Sequence, residues 1–134
     1  SWLPELQEIL PEAFEARIQR AGIVNAWNDP NFSAAVAATG KKNLIMAGVT
    51  TSVCVVYPAL SAIEAGYTVQ AVMDASGSPS ELAEEVSRRR MENAGTILTA
   101  TDSIIAELAQ DWSTPTGNQL IQVLFQHVLP TIAA

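Results

Sequence analysis

Asn43-Leu44-Ile45-Met46-Ala47-Gly48-Val49-Thr50-Thr51-Ser52-Val53-Cys54-Val55-Val56 is the stretch whose reading decides the fold of this chain. Residues 43–48 form a short apolar run of the buried-strand type, and a helix is predicted to follow from about Ser52. Cys54, the only cysteine in the chain, stands where the strand hands over to the helix. A thiol in the first turn of a helix faces unpaired backbone N–H groups and the positive end of the helix dipole, and both favour thiolate over thiol. A single cysteine among valines is also what a small, inert core residue looks like. Position alone leaves both readings open.

The same strand-then-helix alternation extends in both directions. Upstream, 15–19 reads weakly as a short strand. Asn28-Asp29-Pro30 then opens a helix, a capping side chain followed by a proline suited to the first turn, and Thr39-Gly40 stops it. The helix that carries Cys54 is predicted over 52–65, closed by Gly66, with Pro58 as a local irregularity. A second Val- and Tyr-rich strand is expected over 67–73. Ser78-Pro79-Ser80-Glu81 reads as a capping box with Ser78 as the N-cap, opening a helix that Gly95 ends after Ala94. A short strand at 96–99, a helix from a Thr101 cap to about Ala109 and a last helix over 116–128 complete the chain. Leu120, Ile121, Leu124, Phe125 and Val128 fall on one face of that last helix, as core packing or as a subunit contact.

Alternating strands and helices imply parallel βαβ units, whose ligands bind beyond the carboxyl ends of the strands. Gly48 to Cys54, Asp74-Ala75-Ser76-Gly77 and Thr99 to Asp102 all collect at that edge. Asp74 and Ser76 read there mainly as turn formers.

Composition narrows the function classes. The 134 residues, 49% of them hydrophobic, are enough for one domain with a real core. Seven Lys+Arg against 14 Asp+Glu give a net charge of −7 with no basic patch, which argues against a nucleic-acid surface. No run reaches the roughly 18 apolar residues of a membrane span, and no basic-then-apolar leader opens the chain. One cysteine excludes an internal disulfide, in keeping with a cytoplasmic setting. No Cys/His spacing suggests a metal site, and no cofactor motif is present. The lone histidine, His127, lies in the last turn of a predicted helix, where it can cap carbonyls.

The segment from Leu44 to Val55, together with Pro58-Ala59-Leu60-Ser61-Ala62 and Asp74-Ala75-Ser76-Gly77, closely resembles the isochorismatase-like cysteine hydrolases, a superfamily that includes nicotinamidases and N-carbamoylsarcosine amidases. Asn25-Ala26-Trp27-Asn28 and Asp111-Trp112 resemble its YcaC-type branch. The resemblance implies an α/β fold, a three-layer αβα Rossmann-like parallel sheet, and hydrolysis of an amide-type C–N bond in a small-molecule substrate. It also implies a role for each matching position. Cys54 matches the nucleophile that forms an acyl-enzyme, and Arg20, six residues before Ala26, matches the basic member of the triad. The backbone N–H groups of Thr50 and Cys54 match the oxyanion hole, beside a non-proline cis peptide at Val49-Thr50.

Two departures from the pattern accompany these matches. The family's catalytic aspartate ends its first strand, a point expected to precede this sequence, so residues 1–134 are expected to correspond to the C-terminal portion of a single domain. Asp29, Asp74, Asp102 and Asp111 map elsewhere. Ser52 stands where nicotinamidases usually carry aspartate. In the family's sheet, in the order 3-2-1-4-5-6, the chain is expected to supply the third strand on one side of a gap and the last three strands on the other. The N-terminal segment of the same domain is therefore an expected partner, without which the sheet has long open edges. A non-catalytic fragment or structural subunit remains the alternative to the enzyme. YcaC-type relatives are homo-oligomers, and the apolar face of 116–128 is the expected contact.

Overall fold

The computed structural model describes residues 2–130. Two short N-terminal helices, α1 (Pro4–Ile9) and α2 (Pro11–Glu15), each start at a proline. A single 3-10 turn, Ala26–Asn28, leads into α3 (Pro30–Ala38). The remaining elements are β1 (Asn43–Val49), α4 (Val56–Glu64), β2 (Thr68–Gly77), α5 (Glu81–Ala94), β3 (Ile97–Thr99), α6 (Thr101–Ala109) and α7 (Pro115–Val123). Among the described residues the strands form one parallel sheet in the order β1-β2-β3.

Both crossovers, α4 and α5, connect neighbouring strands taken in one direction, and the two helices pack against each other. Side-chain alternation along β2 then divides the layers. Val69 and Ala71 point into the core cluster with Val55, Val56, Ala59, Ala62 and Met91. Gln70, facing the other way, donates from Nε2 to Glu107 on α6 at 2.8 Å. The sheet thus lies between α4 and α5 on one face and α6, which carries α7, on the other. Met91, Val56 and Val69 are wholly buried, and each such side chain contributes about 1.5–3 kcal/mol relative to an exposed one.

Several helix boundaries follow from the residues that cap them. Asp29 accepts the N–H groups of Asn31 and Phe32 ahead of Pro30, and Gly95 closes α5 in the left-handed conformation at φ 98°. The cap of α5 is Ser80, not Ser78: its hydroxyl accepts the Ala83 N–H at 3.1 Å, and no capping box forms. Ser78 is drawn instead to Glu84, donating to its Oε2 at 2.6 Å. Thr101 is likewise not a cap. It is the first residue of α6, whose N-cap is Ala100.

The predicted strand at 15–19 does not form. Backbone bonds from Ala16 to Glu12 and from Arg17 to Phe14 hold this stretch in a local turn. Arg17 also donates to the Phe14 carbonyl at 2.6 Å, with its guanidinium 3.7 Å from the Phe14 ring centre. Short-range bonds won because no described strand pairs with this segment, and the expected two-sided sheet is one contiguous three-stranded sheet. β1 pairs on one side only among the described residues, leaving Ile45 49% and Val49 75% exposed.

The helix predicted over 52–65 is two pieces, a π-helical turn at Thr51–Val55 and then α4. Pro58 accounts for the break, since it has no N–H to give the carbonyl four residues back, at Cys54. The chain's last helix divides similarly, with α7 capped by Thr114 and followed by a π-helical turn at Leu124–Val128. Among the described residues no helix is long and apolar enough to cross a membrane.

Candidate active site

Cys54 is exposed on the turn that leaves the carboxyl end of β1. The turn is organised around one acceptor: the Thr50 carbonyl takes the N–H groups of Val53, Cys54 and Val55 at 3.3, 2.8 and 3.2 Å. Val55 and Val56 on one side of it are buried in the core, which leaves Val53 and Cys54 facing outward. The alternation of buried and exposed residues is thus what presents the thiol.

The floor of the turn comes from the two strands. Pairing of β1 with β2 runs regularly from Asn43↔Thr68 to Met46↔Ala71, then slips so that Gly48 faces Ser76 and Val49 faces Gly77. β2 bulges by the residues in between, so 74–77 are not the turn expected from their composition but the end of the strand. At the slip the Ser76 hydroxyl donates to the Val72 carbonyl at 2.8 Å and accepts the Gly48 N–H at 3.2 Å. Gly48 has φ 153°, a conformation L side chains rarely adopt. The Val49-Thr50 peptide that follows is cis.

Asp74, also read as a turn former, reaches across to the next crossover. Its Oδ1 accepts both the backbone N–H and the hydroxyl of Thr101, at 2.8 and 2.9 Å. A strand residue thereby does for α6 what Ala100, without a side-chain acceptor, cannot.

Arg20, exposed, donates from Nη1 to the Ile23 carbonyl at 2.6 Å, and no hydrogen bond joins it to Cys54 in this structure. The segment behind it is anchored independently. Asn25 donates from Nδ2 to Ser61 Oγ on α4 at 2.9 Å while its Oδ1 accepts the Trp27 N–H at 3.0 Å. The Trp27 ring stacks edge-on to Tyr67, 5.3 Å between centres. The loop after Arg20 is therefore fixed to the helix that follows Cys54. Of the two predicted oxyanion donors, the Cys54 N–H already serves the Thr50 carbonyl.

Two contributors were not legible in the sequence. Glu84 accepts from Ser78 and, at 3.4 Å, from the hydroxyl of wholly buried Thr51, and Ser61 holds Asn25. Both partnerships join residues far apart in the chain or on different elements, which local patterns do not register. Among the described residues no group of three or more His, Cys, Asp and Glu side chains is placed to hold a metal ion.

Comparison with known proteins agrees with this fold. The sequence matches the isochorismatase domain over residues 3–103. It is 46% identical over 110 residues to the probable hydrolase YcaC of Escherichia coli K12, an alignment covering 82% of this chain and 52% of that protein. The chain thus spans about half the length of that curated relative. The crystal structure of the E. coli YcaC gene product, described as an octameric hydrolase of unknown specificity, superposes with a TM-score of 0.88 at 41% identity, over 99% of this chain and 64% of that one. YcaC from Pseudomonas aeruginosa, solved with hexane-2,5-diol and covalent acrylamide, gives a TM-score of 0.87 at 41% identity with the same coverage. A nicotinamidase from Staphylococcus aureus shares the fold at 15% identity with a TM-score of 0.62. The parallel sheet with its helical layers, the turn carrying Cys54 and the match across residues 3–103 together establish that this chain belongs to the isochorismatase family.

Proposed function

We propose that this protein is a cysteine hydrolase that cleaves an amide-type C–N bond of a small molecule. The exposed Cys54 thiol, on the turn at the carboxyl edge of the sheet, is the observation that carries the reading. Parallel sheets of this kind bind ligands at that edge. The covalent acrylamide in Pseudomonas YcaC supports it, because acrylamide is an electrophile that thiolates attack.

In the proposed reaction the Cys54 sulfur gives up its proton and attacks the substrate carbonyl carbon. The C–N bond then breaks, the amine leaves with a proton, and a thioester to Cys54 remains. Water adds to the thioester, the carboxylic acid departs and the thiol is restored. Arg20, by the family pattern, stabilises the thiolate. The N–H groups of Thr50 and Cys54 receive the charge on the carbonyl oxygen, the latter by exchanging its bond to the Thr50 carbonyl. The base is an aspartate of the family's first strand, contributed from outside residues 1–134. Two carboxylates of this chain are otherwise committed: Asp74 to Thr101 and Glu84 to Thr51 and Ser78. By the same relationship the protein works as a homo-oligomer, as its octameric relative does.

Alkylation of the intact protein by iodoacetamide at neutral pH, followed by mass spectrometry, tests the proposal without knowledge of the substrate. Cys54 is expected to react much faster than glutathione, and Cys54→Ala is expected to stay folded and to lose amide hydrolysis across a panel of small amides. Reaction no faster than glutathione would remove the reading.

A further inference from the structure

We infer that Glu84 is a positioning residue for the Cys54 turn, a latch that ties it to the segment following β2; the inference rests on the cysteine-hydrolase reading above. Glu84 lies on α5, and its two carboxylate oxygens take one hydroxyl each from two different segments. Oε1 accepts from Thr51 at 3.4 Å and Oε2 from Ser78 at 2.6 Å. Thr51 is the first residue of the π-helical turn, three positions before Cys54, and has no exposed surface. Ser78 directly follows the bulged end of β2. Both segments border the carboxyl edge of the sheet, where the thiol is exposed.

The chemistry favours a carboxylate at this point. Two hydroxyl donors converge on it, and hydrogen bonds to a charged acceptor are shorter and stronger than neutral ones, as the Ser78 contact is. The buried Thr51 hydroxyl makes no other hydrogen bond among the described residues, so loss of Glu84 leaves it without an acceptor inside the protein. The turn can answer by rotating, and rotation about Thr51 swings the next residues, Ser52, Val53 and Cys54. The side chain does not act on the thiol directly; it fixes the backbone on which the thiol sits. Glu84 is not the cap of α5, a place that Ser80 takes.

The test compares the rate of Cys54 alkylation by iodoacetamide in the intact wild-type protein, Glu84→Ala and Glu84→Gln, with circular dichroism to establish folding. Glutamine keeps an amide oxygen to accept one hydroxyl and an amide N–H to donate to the other. Removing a hydrogen bond to a charged acceptor beneath the turn is expected to slow Glu84→Ala about tenfold, and Glu84→Gln is expected to recover most of the rate. Should Glu84→Ala not fold, Thr51→Val removes the turn's own hydroxyl at nearly constant volume and is expected to slow the reaction likewise. A fast wild-type thiol with an unchanged rate in folded Glu84→Ala, or in Thr51→Val, would overturn the latch alone. Equal slowing in Glu84→Ala and Glu84→Gln would also overturn it, since a side chain able to bridge the two hydroxyls would then restore nothing. A wild-type thiol no faster than glutathione would overturn the hydrolase reading, and the latch with it.

Discussion

The Ser76 hydroxyl holds the Gly48 N–H at 3.2 Å across the break in register between β1 and β2. Twenty-eight positions separate the two residues, and this one side chain fills the place that a ladder bond leaves when the strands slip. Its own proton goes to the Val72 carbonyl, so the relay satisfies three groups at once.

Ser76→Ala is expected to leave the Gly48 N–H without its acceptor and to cost about 1 kcal/mol, the low end for an orphaned donor because water reaches this half-buried position. Urea unfolding of wild type, Ser76→Ala and Ser76→Thr measures it. Threonine keeps the hydroxyl and should retain most of the stability; equal loss in both variants would locate the effect in packing.

Gly117 in α7 sits against the backbone of the preceding loop. A Cβ there would run into the Asp111 carbonyl oxygen and lie 3.0 Å from Thr114 Oγ1, the atom that caps the helix by accepting the Gly117 N–H. Alanine ordinarily favours a helix over glycine by about 1 kcal/mol. Here the contact is with main chain, which no rotamer change relieves, so Gly117→Ala is expected to destabilise by about 1–3 kcal/mol. A rise in the thermal midpoint would contradict this packing.

Asp111 has its carboxyl held below the usual carboxylate value, first by the Ser113 hydroxyl and then by the Ser113 N–H, which it accepts at 2.6 and 2.8 Å. A lowered folded-state value means that the charged form is favoured in the native protein. The stabilisation is therefore present above the ordinary carboxylate value, about 4, and disappears as the pH falls below the native one. Asp111→Ala should be less stable than wild type at pH 7 and should approach it at pH 2. A gap that stays constant in urea titrations at the two pH values would show that the carboxylate charge has no part in it.

Phe125 is 54% exposed on the turn that continues α7, whereas Leu120, Ile121, Leu124 and Val128 are half-buried. The face read in the sequence as core or contact is therefore divided, with its inner members against the protein and Phe125 outside. Phe125→Glu is expected to reduce the mass seen by light scattering while leaving the circular dichroism spectrum intact. An unchanged oligomer would place the subunit contact elsewhere.

Local chemistry was sufficient for much of the fold. The apolar run at 43–48, the Asp29-Pro30 start, Gly95 as a stop and the place of Cys54 at the strand–helix handover all depend on neighbours within a few residues, and these are visible in the sequence. Membership of the fold followed from the motif around Cys54. The misreadings share a different cause. Ser78 and Ser80 are equally good caps by type, and Glu84, on the next turn of α5, drew Ser78 away. The stretch 15–19 had strand-like alternation but no partner strand, so short-range bonds to Glu12 and Phe14 prevailed.

By itself, then, the sequence determined most of the strands and helices of a parallel α/β sheet from Asn28 onward and which thiol stands at its carboxyl edge, because periodicity and capping act over one or two turns of chain. The tertiary structure alone decided what supports that thiol. Asp74 capping α6, Ser76 meeting Gly48, Asn25 meeting Ser61 and Glu84 joining Thr51 to Ser78 are bonds between groups that become neighbours only when the crossovers bring the ends of different elements together. A hydrogen bond depends on distance in space, and nothing in the local order of residues encodes that distance.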